Sequence, residues 1–309
     1  MDRRQVSSDE VRRILSDHDR WMQTNHKSGR QADFTNCDLR GFDFCSQTPH
    51  ELHPFYSMIF RGADLSGVSM ERLHFKDCDF TDAQLSNANI SDVTFESCNF
   101  LNAKILQTTM SVCRINQCDL QNTMLGKSKF NQCRFLDNVF REANLNHVWL
   151  EKNCHLEGNR FLAVNPVCAD FSTSVFTDNK FLNVAFIQCT FDEATFKKCD
   201  FTHSGFLDSY IEKCHFRQSD LQNRFMQVQF IPDNGDTIHL ACDLGLRTII
   251  SRDVIDDKPS MRIDDFMKEI SATRVSSEAQ RALKDILITM GKTFQEACDK
   301  YRKSNDNIR

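Results

Sequence analysis

A large apolar side chain stands at every fifth position between Phe60 and Leu150, without exception. The side chain two positions earlier is small in most of these repeats, as at Ala63, Ala83 and Cys98, and the other three positions are mainly polar. An α-helix repeats its face every 3.6 residues, and a strand repeats its face every 2 residues. A period of five fits neither, so the pattern predicts a repeat in which two of every five side chains point inward.

Positions twenty residues apart carry similar side chains, which indicates a coil made of four repeats. Phe60, Phe80, Phe100 and Phe140 fall in one such column, interrupted by Leu120, and we interpret them as a core ladder. The next column along the chain is aliphatic throughout these repeats. Such sorting is expected when coils stack about 4.8 Å apart, as neighbouring strands do.

The period of five is broken twice, over residues 45–59 and 151–170. After the second break the phase has slipped by one residue and large side chains resume at Phe171; a further slip leads to Phe225 and Phe230. The pattern predicts ten coils at most and a rod of about 40 to 45 Å at strand spacing. Because each coil contacts mainly its neighbours, such a rod needs a cap at each end.

The repeat sequences resemble those of a known family. Residues 63–67, Ala-Asp-Leu-Ser-Gly, and residues 143–147, Ala-Asn-Leu-Asn-His, match the A(D/N)LXX motif of the pentapeptide-repeat proteins. The resemblance covers about two thirds of the chain. It implies an all-β solenoid: a right-handed, four-sided β-helix with one pentapeptide on each side.

An amphipathic helix is predicted before the first repeats. Ser7 and Glu10 have the spacing of a capping box, and apolar residues recur at helical intervals after them. We expect a helix over residues 8–24 that lies across the first coil. Residues 1–31 are therefore assigned to an N-terminal helical cap, and residues 32–231 to the β-helix.

Residues 232–309 are predicted to form a mainly helical C-terminal domain, which begins at a turn signal in residues 232–235. One stripe of its last helix consists of Leu283, Ile286, Leu287, Met290, Phe294 and Tyr301. Two interpretations remain for this stripe. It packs on the end of the rod as part of a cap, or it forms the interface of a homodimer or of a complex with a partner.

Composition favours a cytoplasmic protein. The first thirty residues show no basic segment followed by an apolar run, and no apolar stretch is long enough to span a membrane. Nine of the 14 cysteines fall on the small inward position of the repeat. We interpret them as small, buried, hydrophobic residues in reduced form rather than as a disulfide framework.

The sequence offers little catalytic or metal-binding chemistry. Cys45, His50 and His53 would supply three zinc ligands from one loop, but their spacing matches no structural zinc site. Cys154 and His155 resemble a nucleophile and its base, yet adjacent residues of a strand point in opposite directions. No phosphate-binding glycine loop, zinc-protease motif or nucleophile elbow is present. We therefore predict no catalytic residue, no metal and no cofactor.

Most outward positions of the repeats are polar, and a few large side chains depart from this rule. The predicted partner-binding residues are Trp149, Leu162, Leu182, Ile187, Leu207 and Tyr210. If the coil has twenty residues, Leu162 stacks with Leu182, and Ile187 with Leu207. Clustered exposed apolar side chains are typical of contact sites, whereas partial cover by the neighbouring turns is the alternative.

These observations predict a non-catalytic protein-binding or scaffold protein, which presents the surface of the rod, the loops at the two breaks and the C-terminal helix to a protein partner. It is expected to contact neither nucleic acid nor membrane directly. The alternative is a DNA-mimicking modulator of gyrase or another topoisomerase, a function known among pentapeptide-repeat proteins. Mimicry of DNA requires a strongly acidic surface. Residues 60–230 carry 20 acidic and 17 basic side chains, although Asp77, Asp79, Asp82, Asp92 and Glu96 could form one acidic face.

Overall fold

The main body of the protein is a parallel β-solenoid with four sides to each coil. The predicted pentapeptide-repeat β-helix is thereby confirmed, with helices near both ends of the chain. The computed structural model describes residues 3–44, 55–201, 204–207, 209, 215–217, 225–230, 238–243, 248–252, 261–274 and 278–306.

We number the four faces of the solenoid by their inward residues. The first face contains Phe60, the second Leu65, the third Met70 and the fourth Phe75, and each column continues about twenty residues later. The fourth face carries nine strands, which corresponds to a height of about 38 Å at strand spacing. Below, the lower coils are residues 55–151 and the upper coils are residues 154–207.

The strands of the solenoid are short, because each face is only five residues wide. The third face comprises Ser69–Glu71, Asn89–Ser91, Thr109–Ser111, Lys129–Asn131 and Trp149–Glu151. The fourth comprises Phe55–Tyr56, His74–Lys76, Thr94–Glu96, Arg114–Asn116, Arg134–Leu136, His155–Glu157, Val175–Thr177, Thr195–Lys197 and His215–Arg217. The first face has strands Val139–Arg141, Arg160–Leu162 and Lys180–Leu182, and the second has Ala185–Ile187 and Gly205–Leu207. Elsewhere on these two faces the coils are joined by isolated bridges.

Aromatic rings stack along the axis of the solenoid. The ring of Phe80 lies 4.8 Å from that of Phe60 and 4.9 Å from that of Phe100, and the rings are almost parallel. The ladder resumes above Leu120, where Phe140 stacks 4.7 Å from Phe161. Each such pair contributes about 0.5 to 1.5 kcal/mol beyond the burial of its apolar area, so the core column is a main source of stability.

The corners of the coils use left-handed backbone. From Arg72 to Lys152, every fifth residue has a positive φ, between 51° and 61°. Asn and Asp adopt this conformation more readily than other non-glycine residues do, and they occupy several corners, as at Asp82 and Asn87. The polar residues between the core positions thus permit the sharp turn from one face to the next.

Small polar side chains line the corner between the fourth and the first face. This buried column consists of Cys78, Cys98, Cys118, Asn138, Asn159, Asn179 and Cys199. The Sγ of Cys98 lies 3.5 Å from the carbonyl oxygen of Phe75. In Asn159, Nδ2 donates to the carbonyl of Phe135 at 2.9 Å, and Oδ1 accepts the backbone N–H of Asn138 at 3.0 Å. Each side chain therefore contacts or hydrogen-bonds backbone groups that the strand ladders leave unpaired.

A single extra residue, rather than a loop, causes the phase slip at the second break. Phe135 pairs with Leu156, which is 21 residues later, and the extra residue is accommodated at Lys152 and Asn153, which both have positive φ. The coil then continues in regular strands. The predicted break over residues 151–170 is therefore wrong, because a one-residue insertion shifts the period without interrupting the solenoid.

The first break is shorter than predicted. Phe55–Tyr56 forms a strand of the fourth face, and Ile59 is bridged to Asp33 in the coil below. Residues 55–59 of the predicted 45–59 break therefore belong to the solenoid, and residues 45–54 lie outside the described residues.

Helix α1, Ser8–Gln23, lies at the N-terminal end of the rod. The Oγ of Ser7 accepts the N–H of Glu10 at 3.2 Å, as its capping position predicts. The helix buries Val11 and Leu15 in the same apolar cluster as the first coils. The apolar side of α1 thus covers the open end of the solenoid core.

His18 joins α1 to the first two coils. Its Nδ1 accepts the N–H of Ala32 at 3.0 Å, so the proton resides on Nε2, which donates to the carbonyl of Tyr56 at 2.7 Å. Burial lowers the pKa of His18, although the bond to Tyr56 opposes this shift. A short strand, Arg4–Gln5, pairs with Cys37–Asp38 and adds a second attachment.

The C-terminal region contains an antiparallel sheet that the periodicity did not predict. Its strands are Phe225–Phe230, Ile238–Asp243, Thr248–Arg252 and Met261–Arg262. Phe225 and Phe230 are therefore the ends of a six-residue strand and not members of the repeat. The prediction of a β-helix up to residue 231 and a mainly helical domain after it is wrong to that extent.

Two helices follow this sheet: α2, Ile263–Ala272, and α3, Glu278–Asp306. They pack closely at Gly291, where an added Cβ would meet the side chains of Met267 and Phe266. A glycine within α3, unfavourable for an isolated helix, is thus explained by the approach of α2.

Candidate functional site

The outer surface of the first face changes character between the lower and the upper coils. Leu162 and Leu182 lie in register on neighbouring strands, and both side chains are half-buried. The same outward column in the lower coils contains Arg61, Thr81, Leu101, Gln121 and Arg141. The upper coils therefore present an apolar pair where most of the lower coils present polar groups.

The second face changes in the same way. Val167 is bridged to Ile187, and Ile187 is in register with Leu207. Val167 and Ile187 are half-buried, and nothing is described of the Leu207 side chain. The corresponding lower residues are Ser66, Ser86, Leu106, Gly126 and Asn146. The sequence analysis missed Val167 because that residue fell inside the predicted break.

The predicted partner-binding residues do not form one patch. Trp149 lies on the third face, where the Nζ of Lys129 is 5.3 Å from the centre of its ring. Tyr210 lies outside the described residues. The leucines of the first face lie beside the corner between the first and second faces, and the apolar column of the second face lies beside the next corner, whereas Trp149 faces away from the first face.

The predicted acidic face is wrong. Glu96 lies on the fourth face, where Lys76 binds it at 2.6 Å and holds the pKa of its carboxyl below the usual range. Asp79 lies on the first face and pairs with Arg61 at 2.6 Å. Asp92 occupies the corner between the third and fourth faces. The carboxylates are divided between two adjacent faces and the corners that border them, and two of the five are already paired with cations, so they do not form one acidic face.

The adjacent Cys154 and His155 do not form a catalytic pair. Cys154 is buried, which raises the pKa of its thiol to about 11, while the His155 side chain is exposed on the fourth face. Among the described residues no group of three or more His, Cys, Asp and Glu side chains is arranged to hold a metal ion. Cys45, His50 and His53 lie outside that part of the chain.

The stripe of α3 faces the interior of the C-terminal region. Leu287, Met290 and Phe294 are buried, and α3 contacts both α2 and the strand Phe225–Phe230. The side chains of Leu283, Ile286 and Tyr301 are not among those described. The buried part of the stripe favours a cap over a dimer interface, because these residues already have partners within the chain.

Two exposed apolar side chains were missed by the sequence analysis. Val112 and Leu136, exposed to 45% and 36%, are the large hydrophobic residues most open to solvent among those described. Their places in the period of five mark them as outward residues. Counting every outward apolar residue, rather than only those near the second phase slip, would have found them.

Comparison with known proteins supports the assignment of the repeats. The family profile described as Pentapeptide repeats matches eight copies, over residues 59–96, 78–117, 118–158 and 180–218. The chain belongs to the pentapeptide-repeat family.

Solved structures of other pentapeptide-repeat proteins are similar in fold. One is QnrB1, a plasmid-mediated fluoroquinolone resistance protein, 17% identical, with 54% of this chain and 85% of that chain covered and a TM-score of 0.43. Another is HetL of the cyanobacterium Nostoc, which is involved in the regulation of heterocyst differentiation; it is 12% identical, with 63% and 92% covered and a TM-score of 0.22. At these identities the likeness concerns the fold alone.

A search of curated proteins found no match to this pentapeptide-repeat chain. Within the part of the chain that the structure describes, no helix combines the length and apolar character needed to cross a membrane.

Proposed function

We propose that this pentapeptide-repeat protein is a non-catalytic binding or scaffold protein that presents its upper coils to a protein partner. The observation that carries the proposal is the pair of outward apolar columns, Leu162 with Leu182 and Val167 with Ile187. Exposed apolar side chains in clusters favour contact with another protein. The rigid solenoid supplies a fixed surface, so little conformational entropy is lost on binding.

The two columns lie on adjacent faces and are separated by the width of the second face. Leu182 directly precedes the corner residue Asn183, whereas Ile187 directly precedes the next corner residue, Gln188. A partner that covers the second face from one corner to the other would contact both columns at once. Polar residues in most of the equivalent lower positions limit the contact to the upper coils.

The proposal is tested by reversing the polarity of one column. Tagged wild-type protein, the double variant Leu162→Glu/Leu182→Glu and the matched control Thr81→Glu/Gln121→Glu are used to enrich partners from cells that produce the protein. We expect the upper variant to lose about tenfold or more of one partner's enrichment, and the control to retain it. Equal recovery with all three proteins, or a hydrolase or transferase activity abolished by one point mutation, would contradict the proposal.

The second candidate, a DNA-mimicking modulator of gyrase or another topoisomerase, has less support. Carboxylates of the rod are neutralised by neighbouring cations, as at Arg61–Asp79 and Lys76–Glu96, whereas mimicry needs uncompensated negative charge. A supercoiling assay with purified gyrase, with and without a fluoroquinolone, separates the two candidates. Inhibition of gyrase, or rescue from the drug, at low micromolar protein would favour the topoisomerase modulator. The absence of any effect would favour the scaffold function.

A further inference from the structure

A strained and exposed residue stands on the lower coils. Val112 has φ of 58° and is 45% exposed. A β-branched residue rarely adopts left-handed backbone, because its side chain crowds the adjacent peptide. The corners directly below and above it carry Asp92 and Gln132, so the fold does not require valine at this place.

Two arginines of like charge lie beside this residue on the fourth face. Arg114 and Arg134 are exposed and face each other in register on neighbouring strands. Like charges directly opposite each other destabilise a sheet. No hydrogen bond or ion pair of either guanidinium occurs with the residues that the structure describes. Thr94 lies directly below Arg114, and Glu96, two residues further along the same strand, is already held by Lys76 at 2.6 Å.

Leu136 completes this patch. It follows Arg134 by two residues, lies in register with Asn116 and is 36% exposed. Val112, Arg114, Arg134 and Leu136 thus form one surface on two adjacent coils, which we call the arginine patch. The backbone of Val112 is strained and the two arginines repel each other, and such local conflicts occur mainly at functional sites.

We propose that the arginine patch binds an acidic, partly apolar peptide segment of a protein partner. The inference rests on the proposed scaffold function and specifies the chemical character of one segment of the partner. Carboxylates of the segment would accept hydrogen bonds from the guanidinium groups of Arg114 and Arg134. Their negative charge would remove the repulsion between the two cations. Apolar side chains beside those carboxylates would cover Val112 and Leu136.

A peptide fits this patch better than a nucleic acid does. Affinity for nucleic acid comes from many phosphate contacts, and the patch offers two arginines on a chain of net charge −5. Glu157 lies in register with Leu136 and would repel a phosphate backbone that extended past the arginines. Val112 and Leu136 form no favourable contact with a phosphate backbone, whereas apolar side chains of a peptide would pack against them.

The test uses a random dodecapeptide display library panned on the full-length protein. Enriched peptides are synthesised with a fluorescent label and titrated against wild type, against Arg114→Gln/Arg134→Gln, and against Lys104→Gln/Lys127→Gln. This control removes two exposed cations, one on the opposite, second face and one at the corner between the second and third faces, so both double variants change the net charge equally. A labelled oligothymidylate serves as the nucleic-acid probe.

We expect peptides that combine Asp or Glu with apolar residues, bound about tenfold more weakly by Arg114→Gln/Arg134→Gln and unchanged by the control. Val112→Asn should raise the thermal unfolding midpoint and also weaken peptide binding, because it removes both the strain and the apolar contact. A merely structural valine would show the first effect without the second.

Other outcomes overturn the inference. Peptides that bind wild type and Arg114→Gln/Arg134→Gln equally but lose binding to Leu162→Glu/Leu182→Glu would refute the arginine patch and leave the scaffold function standing. Failure to enrich any peptide would count against both proposals. Tighter binding of oligothymidylate through Arg114 and Arg134 would replace the peptide by a nucleic acid.

Discussion

Cys98 and Asn159 occupy the same buried corner column, but they bind the backbone in different ways. The thiol of Cys98 lies near two carbonyl oxygens, that of Phe75 at 3.5 Å and that of Glu96 at 3.4 Å, and both contacts are weak. The carboxamide of Asn159 donates to one carbonyl at 2.9 Å and accepts the N–H of Asn138 at 3.0 Å. It also accepts from Nδ2 of Asn138 and donates to Oδ1 of Asn179, both at 3.0 Å.

The difference shows that the same backbone geometry accommodates either cysteine or asparagine at this corner, with unequal consequences for stability. In the cysteine coils the corner residue acts mainly as a small apolar filler. In the asparagine coils it is part of a connected polar ladder, in which the removal of one member leaves buried groups unpaired. The two stretches should therefore respond very differently to the same substitution.

The largest effect is expected for Asn159→Ala. The substitution leaves the Phe135 carbonyl and the Asn138 N–H buried without partners, each worth about 1 to 3 kcal/mol. We expect the free energy of unfolding to fall by about 3 to 5 kcal/mol, measured by urea denaturation. The outward substitution Asp119→Ala is the control, and it should change stability little.

A smaller loss is expected for Asn159→Cys, which gives this coil the chemistry of the lower column. The thiol fills part of the space and approaches the Phe135 carbonyl, so we expect a loss of about 1 to 2 kcal/mol. The same denaturation experiment measures it. A loss of unfolding free energy as large as that of the alanine variant would show that the thiol provides none of the stabilisation that the amide provides.

Cys98→Ala should have a still smaller effect, about 1 kcal/mol, because it removes only weak sulfur contacts and leaves a small cavity. Denaturation under reducing conditions provides the measurement. If Cys98→Ala and Asn159→Ala were equally destabilising, the proposed difference between the two parts of the column would be refuted.

The smallest effect concerns pH and a third way of pairing buried backbone groups, at His18. Its pKa is lower in the folded protein than its unfolded value of 6.5, so the unfolded chain binds the proton more readily. The stability that neutral His18 provides is complete above pH 6.5 and falls as the pH drops through 6.5 toward the folded pKa. Urea midpoints measured against pH should show this loss in wild type, and His18→Gln should lack that component.

The period of five and the twenty-residue columns were readable from the sequence, because each core position repeats many times. Asn138 was not recognised as a core residue, since an asparagine in isolation suggests an outward position and only its place in the column reveals its partners. The apparent loop after Leu150 resulted from one inserted residue, which displaces Leu156 and Phe161 from the expected phase. The antiparallel sheet has no repeat, so its strands depend on pairings that periodicity cannot indicate.

The surface of the rod divides in a similar way. Leu162 lies directly above Arg141 in one outward column, and Val167 follows Asn146 in the column of the next face. Outward residues do not support the solenoid core, so substitutions there are free to serve a partner. The functional proposal depends on this contrast between the upper and the lower coils.

Site-specific photo-crosslinking in cells that produce the protein tests that contrast most directly. A photoreactive phenylalanine analogue is placed at Leu182 or, as the matched control, at Gln121 in the same outward column. The account predicts one discrete crosslinked protein from position 182 and not from position 121, and its loss when Leu162→Glu is added. Equal labelling from both positions, or none from position 182, would contradict it.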